Sequence, residues 1–131
     1  MLAKFIVILS LYAEDVTASA HFYRDVLAFD SLPHHDEQPA FTVNGIHLTI
    51  LKGKPPVPAQ DIRPPFPIFA FSVDDLDAIA ARLEKHHIAL PWGVEENADT
   101  RWIRFHDPAG NVIEAAQFKE KKRPTVSHNH T

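Results

Sequence analysis

Arg101-Trp102-Ile103-Arg104-Phe105-His106-Asp107-Pro108-Ala109-Gly110-Asn111-Val112-Ile113-Glu114-Ala115-Ala116-Gln117-Phe118 is the stretch whose reading decides the fold. It reads as a β-hairpin. Pro108 sets φ for the second position of a turn, Gly110 admits positive φ, and Asp107 and Asn111 can bond the neighbouring backbone. Apolar and polar residues alternate on both sides, as in half-buried strands. Ile103 and Phe105 share one face, and Trp102, Arg104 and His106 share the other; beyond the turn Ile113 and Ala115 oppose Val112, Glu114 and Ala116. Glu114 stands out, because a carboxylate in an apolar strand is costly to bury unless it is paired or does chemistry. With the turn centred on Ala109, Arg104 faces Glu114 across the hairpin, where an ion pair would satisfy it.

Upstream of the hairpin, Ile68 to Val73 reads as a strand. Asp74 or Asp75 then caps a helix with Leu76, Ile79, Ala80 and Leu83 on one face, ending at Lys85, His86 and His87. Ile88 to Val94 supplies a further strand, and Glu95 to Thr100 a polar loop. The first half has the same order. Lys4 to Tyr12 is apolar enough to suggest a strand covered on both faces. Asp15 or Thr17 caps a helix running to about Leu27, with Ala20, Tyr23, Val26 and Leu27 at helical spacing. Phe29 to His35, Ala40 to Val43 and Ile46 to Leu51 come next as strands, the last two joined at the hairpin signal Asn44-Gly45. Between the halves, Gly53 to Pro67 carries six prolines and reads as an extended linker.

The expectation is an α+β fold of two βαβββ modules, residues 3–52 and 68–118, in one domain spanning 1–118. Each module makes a four-stranded sheet with a helix on one face, and the other faces curl towards a shared cleft. A polar tail, 119–131, completes the chain.

Composition narrows the partners. With 17 acidic and 13 basic side chains and a net charge of -4, the chain shows no electrostatic footprint for nucleic acid or an acidic membrane. The apolar run Phe5 to Ala13 is too short to span a bilayer. There is no cysteine, which excludes disulfides and thiolate chemistry and suits a reducing cytoplasm. Nine histidines hint at metal or acid/base chemistry.

Three segments carry a family resemblance: Asp15 with Phe22-Tyr23 and Val26-Leu27-Ala28-Phe29; Phe71-Ser72-Val73-Asp74; and Phe105-His106-Asp107-Pro108-Ala109-Gly110-Asn111 leading into Ile113-Glu114. Over residues 3 to 118 the chain resembles the vicinal oxygen chelate superfamily of glyoxalases, extradiol dioxygenases, and fosfomycin- and bleomycin-resistance proteins. Where this sequence has Ala28 the family usually has glycine. The resemblance implies that a metal, where used, is held at the positions of Ile8, His47, Ile68 and Glu114. Only His47 and Glu114 can be ligands here, so a divalent metal would meet an incomplete site. It also implies a homodimer.

The cleft admits two readings. In one, it binds a small, partly apolar metabolite or drug, with Ile8, Tyr12, Ile68, Trp102 and Arg104 as ligand contacts. In the other, the chain is a lyase, isomerase or dioxygenase using His47 and Glu114 as an acid/base pair or a non-standard metal site. The other histidines have plainer explanations. His21 lies on the first helix, His34 and His35 near a strand end, His86 and His87 at a helix terminus, His106 at the turn, and His128 and His130 in the tail.

Overall fold

In the computed structural model, which describes residues 2–33, 38–55 and 68–119, the contacts divide the chain into two units. One holds the first four strands together with residues 106–111; the second holds the last four, up to Phe105 and again from Val112. The expected tail beyond Lys119 and most of the linker, from residue 56 to 67, lie outside the described residues, as do His34 and His35.

The first unit runs β1 (Ile8–Ala13), α1 (Val16–His21), β2 (Asp30–Leu32), β3 (Ala40–Val43) and β4 (Ile46–Lys52), in a sheet of order β1-β4-β3-β2. β1 pairs parallel with β4, and the others are antiparallel. Asp15 is the helix cap, accepting from Ala18 N at 3.0 Å, which satisfies an otherwise orphaned donor. The helix runs on to Val26, as its periodicity predicts, but only its first six residues, Val16–His21, are α-helical. From Phe22 to Val26 it widens into a single π turn, closed by Leu27 N–H donating to Phe22 O. The extra residue accommodated there leaves Phe22 and Tyr23 both buried. They pack with Leu27, Phe41, Leu48 and Ile50 into the core, Tyr23 stacking on Phe29 with centroids 5.8 Å apart. β1 is not covered on both faces as its composition suggests. Ala13 is buried while Ile8, Ser10 and Tyr12 are exposed, so one face looks inward and one outward.

Ala28 adopts φ +59, the left-handed conformation that explains the glycine expected there. An L-residue in that region carries strain of roughly 1–2 kcal/mol. Ala28→Gly is therefore expected to stabilise the fold by about 0.5–1 kcal/mol after the entropy of the unfolded chain is counted. Thermal melting checks this; an unchanged or lower midpoint contradicts it.

The hairpin turn joins the first unit through Asp107, which is buried. Its Oδ1 accepts from Ala109 N at 3.0 Å and Asn111 N at 2.9 Å, and its Oδ2 accepts from Tyr23 Oη–H at 2.8 Å and Asn111 Nδ2 at 3.0 Å. Asn111 Nδ2 also donates to Tyr12 O, and Gly110 takes φ +96. Burial, then the charge of Asp107, then the hydrogen bond to it push the Tyr23 hydroxyl well above the ordinary tyrosine range. The unfolded chain therefore gives up this proton first, at about pH 10. The stabilisation is complete below that pH and is lost as pH rises towards the folded value. Denaturation midpoints of Tyr23→Phe are accordingly expected to fall less steeply than wild type above pH 10, and parallel curves would refute the assignment.

The second unit runs β5 (Phe69–Ser72), α2 (Leu76–Lys85), β6 (Glu95–Glu96), β7 (Thr100–His106) and β8 (Val112–Phe118), in the order β5-β8-β7-β6. Asp75 caps α2 through Ala78 N, and Leu76 N–H donates to Gln117 Oε1 at 2.8 Å, tying the helix start to β8. Leu76 and Leu83 bury against a sheet face made of Ile103, Phe105, Ile113 and Ala115, all fully buried. The strand expected over Ile88 to Val94 does not form. Ile88 N–H donates to Leu83 O and His87 N–H to Glu84 O, with His87 at φ +61, so Ile88 completes the helix cap. Leu90 to Gly93 then closes a turn. The strand moves into the expected polar loop. Asn97 Oδ1 accepts from the amides of Asp99 and Thr100, folding residues 97–100 into a turn that sets Glu95 and Glu96 beside Trp102 and Arg101. Among the described residues no helix is long and apolar enough to cross a membrane.

Candidate functional site

Each sheet has one face without a helix, and of the expected site residues all but Ile68 lie on the strands of these sheets. In the first unit, Leu48 and Ile50 turn to the core while His47 and Thr49 turn away. The register sets Ile8 opposite His47 and Ser10 opposite Thr49, and the two hydroxyls lie 2.8 Å apart. Ile8 and Tyr12 remain 56% and 49% exposed, so this face is an apolar border around polar groups, with the His47 imidazole in solvent. The Tyr12 ring lies over Gly53, where an added Cβ would stand 2.7 Å from Cδ1; any side chain at 53 would displace it.

In the second unit, Trp102, Arg104 and Glu114 come together as the alternation requires. Arg104 Nε donates to Glu114 Oε1 at 3.1 Å, and both side chains are about one-fifth exposed. Arg104 Nη1 lies 3.7 Å from Glu95 Oε1, and Trp102 Nε1–H donates to that same oxygen at 3.1 Å. One guanidinium thus bridges two carboxylates, and one of these also fixes the indole ring. Charge-assisted bonds of this kind hold side chains more rigidly than neutral ones. Arg104 is committed to partners of this chain, which offsets its attraction for a free anion.

Glu95 is the member that sequence reading left in a loop. Its signal was the Asn97 turn, which puts residue 95 across from residue 102. Ile68 lies just ahead of β5 and is half-buried; the register gives Glu114 the partner Ala70, not Ile68. His47 and Glu114 belong one to each unit. Within either unit, no three His, Asp or Glu side chains among the described residues gather closely enough to hold a metal. Trp92 lies in the Leu90–Gly93 turn, His86 and His87 follow the end of α2, and His106 ends β7.

A family model described as the Glyoxalase/Bleomycin resistance protein/Dioxygenase superfamily matches residues 5–115. The uncharacterized protein YaeR of Escherichia coli (strain K12) is 30% identical over 116 residues, covering 81% of this chain and 90% of that one. Among solved structures, a glyoxalase/dioxygenase from Nostoc punctiforme superposes with a TM-score of 0.77 at 22% identity, over 92% of this chain and 97% of that one. A lactoylglutathione lyase from Agrobacterium tumefaciens gives 0.72 at 22% identity, over 89% and 96%. At these identities the structural matches speak for the fold alone.

Proposed function

We propose a small-molecule binding role for this chain, which belongs to the Glyoxalase/Bleomycin resistance protein/Dioxygenase superfamily. Its ligand is a small, partly apolar metabolite or drug held on the helix-free face of the second sheet, with Trp102 as apolar contact and Arg104 as polar anchor. The observation that carries this reading is the Arg104–Glu114 ion pair. The position that supplies a carboxylate to the metal in relatives here supplies it to a guanidinium. Two of its three expected companions, Ile8 and Ile68, are hydrocarbon, so the donor set does not fit a standard metal site. What remains is an aromatic ring held by a hydrogen bond, beside charged groups already oriented. Such pre-ordered surfaces lose little freedom on binding. The lack of cysteine supports a reducing, cytoplasmic setting. Pairing of two copies belongs to the same reading.

Metal analysis of protein purified without added metal, followed by titration with nickel, zinc, iron(II) and manganese, tests this most directly. Substoichiometric, weak binding is expected, together with thermal shifts from apolar ligands in a metabolite and drug screen. A tight one-to-one metal lost in both His47→Ala and Glu114→Ala would overturn the reading in favour of a metal-dependent enzyme.

A further inference from the structure

Asn44 and Gly45 are the two residues of the turn between β3 and β4, both exposed and both at positive φ, +49 and +83. The combination suits a two-residue hairpin. It also sets a side-chain carboxamide beside a backbone N–H that no Cβ shields. Three asparagines lie among the described residues, and their surroundings differ. Asn97 Oδ1 accepts from the amides of Asp99 and Thr100, and Asn111 Nδ2 donates to Tyr12 O and Asp107 Oδ2, so both carboxamides are held in place. Their successors are Ala98 and the buried Val112, each with a Cβ crowding its nitrogen. Among the described residues the Asn44 side chain makes no hydrogen bond, and the Gly45 N–H finds no acceptor in the turn. A Cβ placed at Gly45 would meet nothing within 4 Å, so the turn is open on that side.

We propose that Asn44 is a modification site, the residue at which this chain deamidates spontaneously from the folded state. Once base in the solvent removes its proton, Gly45 N attacks Asn44 Cγ. The new N–C bond forms, the bond from Cγ to the carboxamide nitrogen breaks, and ammonia leaves after taking a proton from water. The product is a succinimide. Water then opens the ring at either carbonyl, giving aspartate or isoaspartate, so water is the one co-reactant. Gly45 tolerates almost any φ, which lets its peptide plane turn into line for the attack at little cost. The isoaspartyl product routes the main chain through the side-chain carbon, adding a backbone atom to the turn. Because the length of a hairpin turn fixes the strand register, this insertion disturbs the pairing of Val43 with Ile46 and of Thr42 with His47. The aspartyl product adds the same charge and leaves the register alone.

Incubation of the full folded chain at mildly alkaline pH, beside the same chain unfolded in urea, tests this by peptide mass spectrometry. Trypsin puts the three asparagines on separate fragments, 25–52, 86–101 and 105–119, and isoaspartyl methyltransferase labelling reports the isoaspartate. In the folded chain Asn44 is expected to deamidate at least about tenfold faster than Asn97 or Asn111. Asn44→Gln, whose longer side chain must close a larger ring, should abolish the reaction on its fragment. Equal rates at the three asparagines overturn the proposal. So does a folded-state rate at Asn44 more than about tenfold below that of the unfolded chain, since the turn would then shield the carboxamide. The isoaspartyl protein should melt below the Asn44→Asp variant, and equal melting would refute the disturbed register.

Discussion

Asp107→Ala is expected to destabilise the protein by about 3–4 kcal/mol, the largest single loss outside the apolar core. The carboxylate accepts four hydrogen bonds and is only 4% exposed. Its removal leaves the buried Tyr23 hydroxyl without an acceptor and frees the amides of Ala109 and Asn111 that hold the turn closed. Buried donors left unmet cost about 1–3 kcal/mol each, and bonds to a charged acceptor lie at the strong end. Urea denaturation measures the loss, and one below about 1 kcal/mol would contradict the network. The cycle with Tyr23→Phe sharpens the result. Once the hydroxyl is absent, losing the carboxylate should be less damaging, giving a coupling of about 1 kcal/mol or more.

Phe105→Ala and Trp102→Ala make the second test, because they sit on one strand with opposite outlooks. Phe105 is fully buried and meets Phe71 edge to face at 6.5 Å, so its truncation opens a cavity and should cost about 3–4 kcal/mol. Trp102 is only partly buried, on the helix-free face, held by Glu95. Its truncation should cost about 1 kcal/mol in stability while weakening any ligand found in the screen at least tenfold. Equal destabilisation by the two variants would mean that Trp102 is a core residue. Unchanged ligand affinity in Trp102→Ala would remove it from the proposed binding surface.

Much of this arrangement was legible because β-strand side chains alternate strictly. The division of Ile103 and Phe105 from Trp102 and Arg104 followed from period two alone. The Arg104–Glu114 pair followed from centring the turn on Ala109, which the bond from Asp107 N to Asn111 O bears out. Local chemistry also narrowed the caps to Asp15 or Thr17 and to Asp74 or Asp75, of which Asp15 and Asp75 accept the helix amides. The failures have one physical source, which is that contacts distant in sequence leave no local mark. Nothing around Asp107 hints at Tyr23, and nothing around Tyr23 hints at a carboxylate. The apolar run Ile88 to Val94 looked like a strand, but its first residue was needed to finish a helix and its Pro91 and Gly93 to make a turn. Two glutamates then became strand because an asparagine side chain folded the chain back beside Trp102. His47 and Ile68 were placed by resemblance to relatives, which fixes positions along the chain and says nothing of the company each residue keeps.

The widened turn at Phe22–Val26 bears on how this chain can change over time. A π turn is an α-helix carrying one residue more than its hydrogen bonds need, so a deletion there can be absorbed by regular helix. The geometry would survive; the phase would not. Each residue removed rotates the N-terminal side of the helix by about 100° relative to its C-terminal side. Tyr23 would swing away from Asp107, and the hairpin turn would lose its anchor. The surplus residue therefore acts as a phase setter, and relatives that keep a Tyr–Asp link of this kind should keep the helix length between them invariant, even where the residues that fill it differ.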